Sequence, residues 1–287
     1  MTRRPAAALL VLHELRVEHT LFALPFAYTG AIFAAHGLPS PREFLWITLA
    51  VLGARTAAMA ANRYLDREID ARNPRTAQRA LAAGTLAPSA MIGTALAGLA
   101  LLVAAAFELN PLCVRLLPLA AIGVLLYPLC KRFTWMTHFA LGAVDALAPL
   151  GAYIAMTGTV TATAWLLFGA VTVWVAGFDV IYALMDLAVD RAQQIRSLPA
   201  RFGTAAGSTL PLMLHVCMLA LLAAAGRTAH AGRVYLFGIA AAALLIAYEA
   251  VLLRRLRDVF TLNDRVFAAN MAFSLVFLTT TAAGFAL

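Results

Sequence analysis

Apolar residues in this chain run in long unbroken stretches, without the alternation of a half-buried strand or the narrow stripe of a surface helix. Nine stretches, near 20–36, 43–63, 88–107, 110–128, 138–157, 163–187, 204–225, 233–253 and 266–285, have about the 17–25 residues that a helix needs to cross a bilayer. Pro39, Pro41, Pro88, Pro111, Gly158 and Gly232 punctuate the gaps, where one helix must stop and the next begin. The pattern predicts an all-α integral membrane protein, a single nine-helix bundle occupying residues 1–287. Ahead of the first span, TRRPAAALLVL runs directly into HELRVEH with no small-residue cleavage site. Residues 1–19 therefore read as an interfacial helix and not as a signal peptide.

Composition agrees: 63% of the 287 residues are hydrophobic and 13% charged, with a mean hydropathy of +0.84, against about 25% charged in soluble domains. A soluble enzyme is excluded. Cys113, Cys130 and Cys217 have neither metal-ligand nor redox spacing and read as packing residues. The net charge of +8 points to membrane orientation before it points to nucleic acid, and no nucleic-acid partner is expected. With the N-terminus inside, 17 of the 22 basic residues fall on inner segments, and three (Arg42, Arg227, Arg233) fall on outer ones. Arg55 and Arg115 lie within spans. That asymmetry predicts a cytoplasmic N-terminus.

The acids are few enough to place singly. In NRYLDREID, Asn62, Asp66 and Asp70 recur every four residues at the inner end of the second span; in YALMDLAVD, Tyr182, Asp186 and Asp190 do the same at the inner end of the sixth. A four-residue step returns to one helix face, so each motif predicts a polar stripe. Like charges at that spacing repel, and carboxylates at a membrane boundary are costly to desolvate. Hard oxygen ligands without His or Cys suit Mg2+, whose remaining positions water and a phosphate would fill. The alternative is a pair of solvated helix ends, neutralised by Arg63, Arg67, Arg72 and Arg191.

These motifs resemble those of UbiA-type intramembrane prenyltransferases, and the resemblance covers essentially the whole chain. DARNPRTAQRALAAG (70–84) and IRSLPARFG (195–203) are similar to the family's loop segments. HTLFALPFA (19–27), YPLCKRFT (127–134) and LGAVDALAPLGAY (141–153) look like the branch that prenylates aromatic carboxylic acids for quinone synthesis, the 4-hydroxybenzoate polyprenyltransferase-like branch. The resemblance implies a nine-helix bundle in a bacterial-type cell membrane with its active site facing the cytoplasm. It implies Mg2+-dependent transfer of a polyprenyl group from its diphosphate to a ring carbon of an aromatic hydroxy acid, with release of pyrophosphate. A 4-hydroxybenzoate acceptor belongs to ubiquinone biosynthesis, and a dihydroxynaphthoate to menaquinone biosynthesis.

Roles for other residues follow from the chemistry. Asp66, Asp70, Asp186 and Asp190 would hold Mg2+ and diphosphate, with Asn62. An allylic diphosphate ionises when its leaving charge is neutralised, which suits Lys131, Arg75, Arg79, Arg132 and Arg201 on the inner loops; Lys131, the sole lysine, is a compact point charge. Tyr127, Tyr153, Trp174, Phe178 and Tyr182 are candidates to stabilise an allylic cation, Tyr127 and Tyr182 foremost because they lie in motif segments. Arg55, seven residues before Asn62 and about 10 Å deeper, is placed to hold the acceptor's carboxylate. Asp179 shares the stripe of Asp186 on the substrate side, where it would reach the metal through water or orient Lys131. Asp145 and Glu249 are read as partners of Arg55 or Arg115, His19 and His138 as helix-end residues, and no residue stands out as a general base. Membrane lipid is the other expected partner. A transporter or a non-enzymatic lipid-binding scaffold would share the buried charges, but only an enzyme releases pyrophosphate.

Overall fold

The computed structural model describes residues 7–15 and 18–286, with side chains from Ala8 to Leu15 and from Ala23 onward. Arg3, Arg4 and Arg16, three of the inner basic residues, and the side chain of His19 lie outside the described part. Every regular element among the described residues is helical. The helices are α1 (Ala7–Leu15), α2 (Glu18–Ala35), α3 (Pro41–Ala71), α4 (Pro88–Leu109), α5 (Pro111–Leu126), α6 (Thr137–Thr157), α7 (Ala162–Ala183), α8 (Leu187–Ala192), α9 (Leu198–Phe202), α10 (Thr204–Thr228), α11 (Tyr235–Arg255) and α12 (Val259–Ala286). Eight of the spans are long and apolar enough to cross a membrane, and α2 contributes a shorter apolar stretch, Ala23–Ala35.

Helix starts are written locally. Pro41, Pro88 and Pro111 open α3, α4 and α5 at first-turn positions where no backbone N–H is needed. Ser40 and Glu43 close a reciprocal capping box on α3, and Asn110 caps α5. At 31 residues α3 is about 46 Å long, against a hydrocarbon layer of about 30 Å. Its charged end therefore continues as helix beyond the apolar zone, carrying Asp66 and Asp70.

Between apolar helices lipid offers no hydrophobic penalty to separation, so close backbone approach carries the packing. Gly53 of α3 faces Gly98 of α4, and a Cβ on Gly53 would stand 2.7 Å from the Gly98 carbonyl oxygen. Gly142 of α6 meets the Thr172 backbone of α7 in the same way. The remaining neighbours are α7 with α10, α11 with α12, and α2 between α6 and α12. The main core joins Phe26, Phe33, Trp174, Phe273 and Phe277.

Two buried ion pairs revise the sequence reading. Glu249 pairs with His215 at 2.5 Å, away from Arg55 and Arg115, and also accepts from Asn270, which in turn accepts from the Trp174 indole. The four residues bind α7, α10, α11 and α12 to one another. In the N-terminal segment Glu14, 1% exposed, accepts from the Ala80 amide and faces Arg63 at 3.2 Å. Helix α1 is thus tied to α3 and to the loop after it, its Leu10, Val11 and Leu15 packing on Ala60, Leu81 and Met91.

Candidate active site

Where the ends of α3, α6 and α7 meet the loops after α3, α5 and α8, they enclose a cavity of about 300 Å³. The two acidic motifs, 120 residues apart in sequence, line it together. Only the first is a continuous helical stripe. After Ala183 the chain tightens into a 3-10 turn, Leu184–Asp186, and then restarts as α8, so Asp186 and Asp190 stand on different elements. YPLCKR is likewise a 3-10 turn, Tyr127–Arg132.

Six carboxylates and six cationic side chains line the cavity, Asp66, Asp70, Asp145, Asp179, Asp186 and Asp190 against Arg55, Arg63, Arg75, Arg79, Lys131 and Arg196. Asp66 accepts from Lys131 at 2.5 Å, Asp70 from Arg79 at 2.7 Å, and Asp186 from Arg75 through both of its oxygens. Asn73 adds a bond to Asp186 at 2.8 Å, and the Ser197 hydroxyl donates to Asp190 at 2.9 Å. Asp66, Asp70 and Asp190 are buried and not solvated helix ends. Of the arginines of that alternative, Arg67 turns to Glu68 and the Tyr64 carbonyl, Arg63 bonds the Glu14 carbonyl, and Arg191 the Ala200 carbonyl. Burial opposes the charge on Arg75, but hydrogen bonds to Asp186 and Tyr182 outweigh it and raise its pKa above the ordinary arginine value.

Deeper in the cavity, Arg55 donates to Asp145 at 3.0 Å. The anion that a buried guanidinium requires thus comes from the chain itself, yet Arg55 Nε remains buried without a hydrogen-bond partner among the described residues. Arg55 and Asp145 also border a second, apolar cavity of about 290 Å³, lined by residues such as Ala54, Leu102, Leu116, Ala120 and Leu147. Asp179 does not meet Lys131. It bonds His138 Nδ1 at 2.6 Å, and His138 Nε2 accepts from the Leu198 amide at 3.1 Å.

Of the predicted site residues, Arg55, Asn62, Asp66, Asp70, Arg75, Arg79, Tyr127, Lys131, Asp179, Tyr182, Asp186 and Asp190 all line the polar cavity, and Arg132 and Arg201 do not. Arg132 bonds the Leu65 carbonyl, and Arg201 lies over the Trp135 ring, 4.4 Å from its centroid. Among the aromatic candidates Phe178 joins Tyr127 and Tyr182, whereas Trp174 is core and the Tyr153 hydroxyl accepts from Thr161. Sequence reasoning missed Asn73, His138 and Ser197 as partners of the site acids. Ser197 carried a local signal, since Ser before Leu-Pro marks a helix cap, and it does cap α9.

Among the described residues no three His, Cys, Asp or Glu side chains stand close enough to cage a metal ion. The fit is of another kind. Asp66 Oδ1 is buried with no hydrogen-bond partner among the described residues, and the donor set is all carboxylate, which suits Mg2+ held jointly by protein and a phosphate group.

Known proteins resemble this chain along most of its length. Residues 23–283 match the family model of the UbiA prenyltransferase family. The chain is 35% identical over 232 residues to the 4-hydroxybenzoate octaprenyltransferase of Alkalilimnicola ehrlichii, covering 79% of this chain and 78% of that one. The apo structure of a UbiA homolog from Aeropyrum pernix superposes with a TM-score of 0.81 at 34% identity, over 91% of this chain and 98% of the other. A UbiA homolog from Archaeoglobus fulgidus bound to GPP and Mg2+ shares the fold, with a TM-score of 0.67 at 19% identity over 94% and 99%. Eight apolar spans, two facing acidic motifs and a match along nearly the whole length lead to one conclusion: the chain belongs to the UbiA prenyltransferase family.

Proposed function

We infer that the protein transfers a polyprenyl group from polyprenyl diphosphate to a ring carbon of 4-hydroxybenzoate or a closely similar acid, releasing pyrophosphate, in ubiquinone biosynthesis. In this reading α2 is the ninth span, and the N-terminus and the polar cavity face the cytoplasm of a bacterial cell. One observation carries the proposal: a polar cavity with four facing aspartates adjoins an apolar cavity, and Arg55, with an unspent donor, stands at their junction. The relatives' acceptor supports the choice of acid.

Asp66, Asp70, Asp186 and Asp190 would hold Mg2+ together with the diphosphate; bound there, the metal neutralises the leaving group's charge. Lys131, Arg75 and Arg79 are each paired with one of these carboxylates, and the opposite charges lining the cavity are equal in number. A diphosphate arriving alone would draw Lys131, Arg75 and Arg79 away and leave three buried carboxylates uncompensated, at several kcal/mol each. Arriving with a divalent cation, it exchanges one set of ion pairs for another. Lys131, Arg75 and Arg79 then face the phosphates. Tyr127, Phe178 and Tyr182 exclude water and offer π faces to an allylic cation. Arg55 holds the acid about 10 Å deeper than Asn62, and the prenyl tail passes along the apolar cavity toward lipid.

Membranes containing the protein, supplied with geranyl diphosphate, Mg2+ and 4-hydroxybenzoate, should yield the ring-prenylated acid by mass spectrometry together with pyrophosphate. Absence of both would refute the reading, and a transporter would release none.

A further inference from the structure

Joining an allylic group to an aromatic carbon creates a proton that must be removed. The C–O bond to diphosphate breaks with its electron pair leaving on pyrophosphate, and a ring π pair forms the new C–C bond. The C–H pair then returns to the ring as the hydrogen leaves as a proton. A base for that proton must line the cavity, lie deeper than the diphosphate, and keep a lone pair that no cation has already claimed.

Six carboxylates line the cavity, and the geometry separates them. Asp66, Asp70, Asp186 and Asp145 are bonded to Lys131, Arg79, Arg75 and Arg55. Asp190, buried and held by the Ser197 hydroxyl, belongs to the second motif, among the groups assigned to diphosphate and metal. Asp179 stands apart from both sets. Among the described residues it has no lysine or arginine within ion-pair distance, and its one such partner is His138. Its side chain is 25% exposed, more than those of Asp66, Asp70, Asp145 or Asp186, which do not exceed 16%. It precedes Asp186 by seven residues, about 10 Å along the helix, whereas Arg55 precedes Asp66 by eleven, about 16 Å. Asp179 therefore stands at a depth between the diphosphate and Arg55, where the ring of an acid whose carboxylate rests on Arg55 would lie.

His138 is not the base. Its Nε2 accepts from the Leu198 amide, so the ring hydrogen sits on Nδ1 and is donated to Asp179 Oδ2. That bond fixes one oxygen and leaves the other for substrate. Leu198 follows Ser197, whose hydroxyl holds Asp190. One short segment thus sets both a diphosphate-side acid and, through a 2% exposed histidine, the deeper one.

We propose that Asp179 is the general base that takes the ring proton, with His138 as its positioning residue. The proposal rests on the prenyl transfer argued above. Asp179 passes the proton to water as the product leaves.

The test uses the full-length protein with Mg2+, geranyl diphosphate, and 4-hydroxybenzoate carrying either hydrogen or deuterium beside the hydroxyl. The wild type should release one pyrophosphate per prenylated acid and show little isotope effect. Asp179→Asn should lower product formation about 100-fold, within the range of general-base contributions. It should leave the KM for geranyl diphosphate nearly unchanged, release excess pyrophosphate as water captures the cation, and develop a primary deuterium isotope effect. Asp179→Glu, which keeps the charge but displaces the carboxylate, should develop the same isotope effect and serves if the Asn variant does not fold. His138→Leu should give a weaker form of the same signature, and His138→Gln, which can still donate to Asp179, should restore most of the rate. One-to-one stoichiometry with no isotope effect in the Asn or Glu variant would overturn the proposal, however slow the enzyme. An inactive wild type would refute the transfer reaction itself.

Discussion

Asp145→Asn is the sharpest probe of the acceptor site, because it and Arg55→Ala should act in opposite directions. Asp145 occupies one Arg55 N–H at 3.0 Å, and both side chains are only 16% exposed. An incoming carboxylate must compete with that internal anion. A hydrogen bond to a charged partner is worth about 1.5–3 kcal/mol; recovering a fraction of it, about 1 kcal/mol, should lower the KM for the acid roughly fivefold. Arg55→Ala removes the whole contact, about 3 kcal/mol, and should raise that KM roughly 100-fold. Alone it also strands Asp145, with a loss of stability of about 3–5 kcal/mol. The double variant Arg55→Ala, Asp145→Ala removes that penalty and separates folding from binding. Initial rates of prenylated acid, measured against 4-hydroxybenzoate at saturating geranyl diphosphate, give the KM values, and thermal unfolding in detergent gives the stability. The KM for geranyl diphosphate should stay within about twofold throughout, since Arg55 does not reach the phosphates. If Asp145→Asn raised the acid's KM as far as Arg55→Ala does, the pair would be a structural unit and the acid would bind elsewhere.

Asp66→Asn and Asp186→Asn keep size while removing the charge that Mg2+ requires, so turnover should fall by about three orders of magnitude with folding intact; near-normal Mg2+-dependent activity in both would end the metal assignment. Thr85 and Thr159 are exposed loop positions, and single cysteines there, in a variant lacking Cys113, Cys130 and Cys217, should label from opposite sides of the membrane, Thr85 from the cytoplasm. Labelling of both from one side would contradict the nine-span topology. Asn270→Leu deprives Glu249 and the Trp174 indole of a partner at once and should cost about 1–3 kcal/mol of stability, read as earlier thermal unfolding; an unchanged transition would show that the network carries no load.

Hydropathy made the spans legible because it reports where lipid ends, and for the same reason it set the second span at 43–63 while the helix runs on to Ala71. The acids were legible through spacing, but the break at Leu184–Asp186 was not. Leu, Met and their neighbours are good helix formers with no Pro or Gly among them, so only tertiary context tightens the winding. The pairing of Asp145 with Arg55 was legible, two opposite charges set alone in apolar spans, but other partners were hidden by distance along the chain: Asn73 meets Asp186 across 113 residues and Glu249 meets His215 across 34. Arg201 looked like a phosphate ligand from its place in IRSLPARFG, whereas its side chain spends its charge on the face of Trp135. A charge in a loop has a known sign and an unknown direction.

The pairing of each motif carboxylate with a group of the same chain has a consequence for how the protein would persist without the proposed metal. Domains that use a metal as part of their folding energy come apart in a chelator. Here Lys131, Arg79, Arg75 and Ser197 already pair with Asp66, Asp70, Asp186 and Asp190, leaving Asp66 Oδ1 as the one orphaned oxygen that is buried among them in the described residues. EDTA should therefore silence the protein without unfolding it, and activity should return on adding the cation, with no refolding step. A cell short of magnesium would hold the protein in reserve in its membrane, intact and idle.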